Sequence, residues 1–284
     1  METNTKKELH VAAYVDILGF SEKMKNAKDD LEKLEVIEDE LQTFYEIYSS
    51  NISTKLDPTL AWGQIQTFSD CAYISVPIAP HTKDDSSTYD RVASTMTEIG
   101  SAQAELLLKN QTFLRGGVDY GVKVCRKNEW GSVEVSSAYF SAYRIEEERT
   151  FPHPIIKVSE RLATRFHNLP GVENHGKAPG KDILWKVNNL EGKPTYFISY
   201  LQCLFDLNDE ADISEVLDNH KKAIVNAYHE YKNCSRIAEK YAFLAHNYHN
   251  EYVKWKKEMF RIENIDDLII KETEVPFLEN IKNR

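Results

Sequence analysis

Two aspartates in this chain lie where a carboxylate needs a partner. Asp16 falls near the end of LHVAAYVDIL, residues 9–18, an apolar run typical of a buried strand. A lone carboxylate is costly to remove from water. Asp70 falls in QTFSDCAYIS, where turn residues separate two short runs of strand formers. Taken singly, Asp16 is best interpreted as a cap for the following helix and Asp70 as an ordinary turn residue.

The predicted order of the elements brings these two aspartates together. Residues 60–68 and 71–76 form a hairpin closed at Ser69-Asp70, and the first strand lies beside it in a β-α-β-β unit. Two ionised carboxylates about 4 Å apart repel by roughly 4 kcal/mol at an effective dielectric of 20. A divalent cation turns that repulsion into binding, and oxygen ligands favour Mg²⁺ or Mn²⁺. The pair therefore predicts a metal site.

Two arginines add the chemistry of phosphate recognition. Arg115 in FLRGGVDYG interrupts a strand pattern beside glycines, which predicts room for a ligand. Arg144 lies in SAYFSAYRIEEE on a predicted helix. The planar guanidinium suits phosphate oxygens. The simpler explanation for Arg144 is a weak ion pair with Glu147 or Glu148.

The elements that position these residues follow a β-α-β-β-α-β order with additions, an α+β fold of the ferredoxin-like kind. Ser21 is expected to cap one long helix after the first strand. The apolar stripe of that helix has a spacing of three and four residues: Leu31, Leu34, Ile37, Leu41, Phe44 and Tyr48. A turn follows at residues 51–58. Helices are also predicted at about residues 89–108 and 137–148, and strands at about residues 113–122, 133 and 152–158.

The last third of the chain has a different character. Residues 168–181 form a predicted loop, and residues 185–200 add two strands. Residues 213–260 are almost continuously helical with an aromatic stripe, expected to pack on the core domain rather than to form a coiled hairpin or a docking face. We therefore predict one domain at residues 9–200 and a helical C-terminal extension at residues 201–284.

Composition narrows the class of protein. The 284 residues include 35 basic and 45 acidic side chains, a net charge of −10, which disfavours broad binding to nucleic acid or anionic lipid. We find no apolar run of about 18 residues and no signal peptide, so a cytoplasmic protein is expected. Four cysteines without CxxC spacing predict free thiols. His246 and His249 are interpreted as amphipathic helix surface rather than metal ligands.

Four segments resemble the class III nucleotide cyclases: YVDILGFS, QTFSDCAYIS, FLRGGVDYG and SSAYFSAYRIEEE. Within that family the chain looks like the pyrimidine nucleotide cyclases of the bacterial Pycsar antiphage system. The resemblance covers roughly residues 9–160 and is looser beyond them. It implies that the predicted domain at residues 9–200 is a nucleotide cyclase domain.

This resemblance implies a role for each candidate residue. Asp16, the backbone carbonyl of Ile17 and Asp70 would hold two divalent metal ions, Mn²⁺ or Mg²⁺. Arg115 would contact the nucleotide phosphates, and Arg144 would stabilise the transition state across a dimer interface; these are the expected catalytic arginines. The expected substrate contacts come from four positions: Phe20, Gln66, Arg115 and Val133.

The chain departs from the purine cyclases at three positions. Gln66 replaces the lysine that reads adenine, Val133 aligns near its purine-recognising partner, and Phe140 replaces an asparagine before the helix arginine. The loss of the lysine and of its partner argues against ATP. The Gln66 amide both donates and accepts, so it suits either pyrimidine. Phe140 leaves the ribose and transition-state contacts open.

The implied function is a pyrimidine nucleotide cyclase that converts UTP, with CTP as second choice, to the 3′,5′-cyclic nucleotide as a messenger of antiphage defence. The implied partners are the pyrimidine nucleoside triphosphate and a second copy of the chain, in a homodimer with shared active sites. The alternatives are a purine cyclase with an atypical base pocket and a non-catalytic nucleotide-binding dimer. Retention of Asp16, Asp70, Arg115 and Arg144 speaks against the non-catalytic dimer.

Overall fold

A computed structural model describes residues 5–54, 64–80, 86–128, 131–147, 155–168, 183–188, 194–207, 212–260 and 265–277. Its strands are β1 (Thr5–Ile17), β2 (Gln64–Phe68), β3 (Cys71–Pro80), β4 (Leu114–Asn128), β5 (Gly131–Ser136), β6 (Ile156–Val158), β7 (Leu184–Asn188) and β8 (Pro194–Ile198). Its helices are α1 (Phe20–Ala27), α2 (Leu31–Thr54), α3 (Ser86–Asn110), α4 (Ser137–Glu147), α5 (Glu160–Asn168), α6 (Tyr200–Leu207), α7 (Ile213–Tyr231), α8 (Ser235–Phe243) and α9 (Asn250–Phe260). A π-helical turn (Leu244–His249) joins α8 to α9, and a 3-10 turn (Ile265–Asp267) follows.

One mixed sheet organises the molecule. Its strand order is β2-β3-β1-β4-β6-β8-β7, and β5 pairs with the outer end of β4. The first four strands are antiparallel neighbours in the order β2-β3-β1-β4, the arrangement of a ferredoxin-like unit. Only the β4–β6 pair is parallel among the described strands. The predicted α+β class is confirmed, and so is the tight hairpin, with Ser69 at a φ of 54°.

The alternation of side chains along β1 separates two faces of the sheet. Val11 and Val15 point to one face, where they share a buried core with Phe44 of α2 and Met96 of α3. Asp16 belongs to the opposite face, on which α4 packs against β1 and β4. The sheet therefore presents its chemistry-bearing residues on the α4 side.

The glycines of β4 admit a helix rather than a ligand. A Cβ atom on Gly117 would collide with the backbone carbonyl of Ala142 in α4, and one on Gly116 would collide with the carbonyl of Tyr14. The expectation that these glycines leave room for a ligand is therefore wrong, because α4 and β1 take up that space.

The C-terminal helices pack on the rest of the chain, as expected. Leu244, Tyr248 and Tyr252 are fully buried, in a cluster that also contains Leu107 of α3 and Phe113. The aromatic stripe is therefore core. The histidines beside it differ from the prediction: His249 is buried rather than on a surface, and His246 contacts the carbonyl of Val275 at 2.7 Å.

Several local predictions were wrong. Ser21 lies inside α1, whose cap is Gly19, and the long helix is broken into α1 and α2. Leu31 is 74% exposed, because it begins α2 beyond the edge of the core. The predicted turn at residues 51–58 overlaps α2, which continues to Thr54. The rest of that turn and the predicted loop at residues 169–181 lie outside the described residues.

Within the described part, none of the helices has the length and hydropathy to cross a bilayer.

Candidate active site

The sheet register aligns one row of residues across four strands. Phe68 pairs with Cys71, Cys71 with Asp16, and Asp16 with Arg115. Directly paired residues share a face of the sheet. Asp70 precedes this row in the hairpin, and its carbonyl accepts a hydrogen bond of 2.9 Å from the amide of Ile17. The predicted approach of Asp16 and Asp70 is thus confirmed by strand pairing.

Arg115 is bonded to protein carboxylates on two elements. Its Nε and Nη2 atoms donate to Oδ2 of Asp16 at 2.9 and 2.7 Å. Its Nη2 also lies 2.6 Å from Oε1 of Glu146, a buried residue of α4. Arg115 therefore ties β1 to α4, and in this geometry it positions Asp16.

Asp16 has an unusual environment for a carboxyl group. Burial raises its pKa to about 7, Arg115 opposes that shift, and the neighbouring carboxyl of Asp70 adds to it. Among the described residues, no side chain caps α1, so the interpretation of Asp16 as a helix cap is wrong.

The carboxylate oxygens of Asp16 and Asp70 are ligands suited to a hard divalent cation such as Mg²⁺ or Mn²⁺. Two carboxyl groups lie side by side, and Arg115 bonds only Oδ2 of Asp16. The described residues contain no cluster of three or more histidine, cysteine, aspartate or glutamate side chains with metal-binding geometry. Any site here is therefore built from two carboxylates completed by backbone, water or substrate oxygens, as is usual for Mg²⁺.

Two adjoining cavities surround the aspartates. The larger, of about 570 Å³, is lined by nine residues: Tyr14, Asp16, Asp70, Arg115, Tyr143, Arg144, Glu146, Glu147 and Arg236. The smaller, of about 240 Å³, shares Asp16, Asp70, Arg115 and Arg236 with it. Its other walls are the turn into α1 and the face of α8 that carries Lys240.

Arg144 lies in the larger cavity of its own chain, on an exposed surface of α4. Within the described residues it forms no ion pair, and Glu147 instead accepts a hydrogen bond of 2.7 Å from Tyr143. The predicted ion pair with Glu147 is thus not formed, and Glu148 lies outside the described residues. Arg144 is available to a ligand.

The predicted substrate contacts occupy different places. Phe20 lines the smaller cavity. Gln66 pairs with Tyr73 and precedes Phe68 by two residues, so it lies on the same face of the sheet as Phe68. It does not line either cavity. The backbone of Val133 pairs with Arg126 at the outer end of β4, far from Arg115. Phe140 is exposed on α4. Within one chain, the positions expected to read the base, Gln66 and Val133, are therefore separate from the aspartates.

Sequence reasoning missed three residues of the site: Glu146, Arg236 and Lys240. Glu146 was one of three consecutive glutamates, and nothing local marked it as the buried one. Arg236 and Lys240 are four residues apart on a predicted helix, which places them on one face. That spacing was a usable signal, but the helix had no predicted position relative to the aspartates.

No protein-family model and no curated protein matches this chain. Similar solved structures include the adenylyl cyclase CyaB from P. aeruginosa, with 13% identity and a TM-score of 0.45 over 69% of this chain and 95% of that one. The guanylyl cyclase Cya2 has 15% identity and a TM-score of 0.42, over 70% of this chain and 93% of that one. The guanylyl cyclase domain of the RhoGC fusion protein from Blastocladiella emersonii has 14% identity and a TM-score of 0.42, over 69% and 97%. These likenesses are remote.

Proposed function

We propose that this protein is a nucleotide cyclase. The carrying observation is the Asp16–Asp70 carboxyl pair, which strand pairing places in the same cavity as Arg115 and Arg144. A carboxyl pair with arginines in a polar cavity suits a reaction on a phosphate chain, where positioning and charge stabilisation supply most of the rate.

The reaction is an intramolecular phosphoryl transfer. The ribose 3′-oxygen attacks the α-phosphorus, a new P–O bond forms, and the bond from the α-phosphorus to the bridging oxygen of the β-phosphate breaks. The hydroxyl proton leaves to water, and pyrophosphate departs with the electron pair of the broken bond. The products are one 3′,5′-cyclic nucleotide and one pyrophosphate.

The residues of the chain divide this work. Asp16, Asp70 and the backbone carbonyl of Ile17 would hold the divalent ions, Mn²⁺ or Mg²⁺. When bound there, such ions polarise the 3′-hydroxyl and offset the charge of the triphosphate. Arg115 keeps Asp16 in position through its paired hydrogen bonds. Arg144 would neutralise the charge that develops at the α-phosphate.

We further propose a pyrimidine substrate, UTP before CTP. The support is Gln66, whose amide offers both a donor and an acceptor where purine cyclases have lysine. By the same resemblance, the cyclic product would serve as a messenger in antiphage defence.

A homodimer with shared sites is part of the proposal. Phe68 and Phe140 are exposed by 58% and 66%, although both are large apolar side chains. Phe68 lies on the sheet face that also carries α4. A second copy covering this face would bury both residues and bring its own base-reading positions towards the Asp16 cavity.

The test is turnover of the purified chain with Mn²⁺ and ATP, GTP, CTP or UTP separately, with products resolved by mass. We expect cyclic UMP and pyrophosphate in equal amounts. Cyclic AMP or GMP would overturn the pyrimidine assignment in favour of a purine cyclase. No cyclic product from any of the four would overturn the proposed activity in favour of a non-catalytic nucleotide-binding dimer.

A further inference from the structure

Helix α8 carries two cations into the cavities around Asp16 and Asp70. Arg236 lines both cavities, and Lys240 lines the smaller one. The two residues are one helical turn apart and therefore project from the same face of α8. They come from the C-terminal helical region, where the cyclase resemblance is looser and its motifs are unspecific.

Lys240 is a buried cation without a described partner. Only 9% of the residue is exposed. In the described part of the chain, its ammonium group forms neither a hydrogen bond nor an ion pair, although Lys240 lines the smaller cavity. Burial lowers the pKa of Lys240 to about 8; the positive charges of Arg115 and Arg236 add to that effect, and the carboxyl groups of Glu146 and Asp16 oppose it. A buried ammonium in such a place requires an anion to compensate it.

The protein itself supplies too little negative charge there. In the wall of the smaller cavity, Lys25 pairs with Glu22 at 3.1 Å. Arg115 pairs with Asp16 at 2.7 Å. Asp70 is the third carboxyl group of that wall, whereas Arg236 and Lys240 bring its cations to four. Divalent ions bound at the aspartates would increase the positive charge further.

The backbone of the same cavity also suits an anion. Gly19 adopts a left-handed φ of 85° immediately before α1, and this N-terminus has no side-chain cap among the described residues. The first amides of a helix attract negative charge. Tyr231, at the end of α7, would lie 3.6 Å from a Cβ atom on Gly19, so the helical region packs directly against this turn.

We infer that Arg236 and Lys240 bind the β- and γ-phosphates of the nucleotide from the same chain that supplies Asp16 and Asp70. This inference rests on the proposed function. It makes the C-terminal helical region a part of the active site, in which α8 closes the polyphosphate side of the cavity. The same two cations would hold the pyrophosphate product until it dissociates.

The experiment measures binding of inorganic tripolyphosphate to the full chain by calorimetry in the presence of Mg²⁺, together with the KM for the triphosphate that is cyclised. The variants are R236Q and K240M, in which methionine preserves the apolar stem of the lysine. The control is K232Q, which removes an exposed cation between α7 and α8 that lines neither cavity. Circular dichroism and thermal unfolding confirm that each variant is folded.

We expect R236Q and K240M each to weaken tripolyphosphate binding about tenfold or more, since tenfold corresponds to about 1.4 kcal/mol, the scale of one hydrogen bond to a charged group. K232Q should bind like the wild-type chain. Cyclic product formed with an equal KM in all three variants would overturn this site and leave the cyclase in place. Wild-type binding that depends on both residues, without any cyclic product, would overturn the cyclase and leave the polyphosphate site.

Discussion

The guanidinium of Arg115 donates two hydrogen bonds to one oxygen of Asp16, from Nε at 2.9 Å and from Nη2 at 2.7 Å. The same guanidinium lies 2.6 Å from the carboxylate of Glu146 on α4. The single positive charge of Arg115 thus compensates the carboxylates of Asp16 and Glu146, both of which are largely removed from water. Its loss would leave both without compensation, so replacing Arg115 should lower stability as well as the proposed activity.

Replacing Arg115 by methionine should lower the free energy of unfolding by about 3 kcal/mol, because breaking a buried ion pair leaves an uncompensated charge. Lysine at this position should recover part of the loss, since it restores the charge but not the paired donors. Urea unfolding at pH 7 measures both effects. R144M is the matched control: Arg144 is exposed and without an ion pair in the described residues, so its loss should change stability by about 0.5 kcal/mol or less. Equal stability of R115M and R144M would contradict this account.

Asp70 should be needed for turnover but not for folding. The bond from the Ile17 amide goes to the Asp70 backbone carbonyl, which D70N retains. D70N also removes a negative charge beside Asp16, so the melting temperature should not fall. Turnover with Mn²⁺ should drop about a hundredfold or more, because a proposed metal ligand is lost. D39N, at an exposed position of α2, should keep wild-type turnover; a D70N enzyme as active as D39N would remove Asp70 from the metal site.

Residues with a short-range signal were predictable from the sequence. The apolar run of residues 9–18, with Asp16 near its end, predicts β1. The turn at Ser69-Asp70 between two short runs of strand formers predicts the β2–β3 hairpin. Once β1 lies beside β3, the register brings Asp16 against Cys71 and so close to Asp70. The strand order follows from the order of the elements for the same reason.

Contacts between distant segments were not predictable. Arg115 contacts Glu146 because α4 lies on β4, and Lys240 reaches the cavity because α8 packs beside the turn after β1. No regular spacing of residues in the sequence indicates either contact. Gly117 shows the same limit, because a glycine that admits a helix looks like a glycine that admits a ligand.

Mixing two inactive variants tests whether sites are shared between chains. D16A lacks a proposed metal ligand, and R144A lacks the arginine of α4. In a shared-site dimer, a heterodimer has one intact site, made of Asp16 from one chain and Arg144 from the other. With random pairing, about a quarter of wild-type activity should return on mixing.

Arg144 also lines the Asp16 cavity of its own chain, so the opposite result has a clear structural meaning. If heterodimers are shown by mass to form and no activity returns, each chain supplies its own Arg144 and the shared site is wrong. A mixture of D16A with D70A is the control, because both variants damage the same half of the site and no pairing restores it.

Two buried histidines in the helical region, His220 and His249, form hydrogen bonds that require both imidazole rings to be uncharged. The hydroxyl of Tyr200 lies 2.6 Å from Nε2 of His220, and the two Nδ1 atoms of His220 and His249 are 2.8 Å apart. Nε2 of His249 lies 2.8 Å from the carbonyl of Leu268 and must donate to it. His249 Nδ1 then accepts from His220, whose Nε2 accepts from Tyr200. All three hydrogen bonds are satisfied with both rings uncharged.

This chain of hydrogen bonds predicts acid sensitivity. Burial lowers the pKa of His249 to about 4 and that of His220 well below its usual value. An unfolded histidine titrates near pH 6.5, so the unfolded state binds more protons below that pH. The free energy of unfolding should therefore fall as the pH drops from about 6.5 towards 4, by up to about 1.4 kcal/mol per pH unit for each histidine.

Urea unfolding at pH 7 and pH 5 should show a smaller decrease in H249Q than in the wild-type chain, although H249Q is less stable at pH 7. H229Q, which removes an exposed histidine of α7, should keep the wild-type decrease; an equal decrease in H249Q would show that the buried pair is not what acid disrupts.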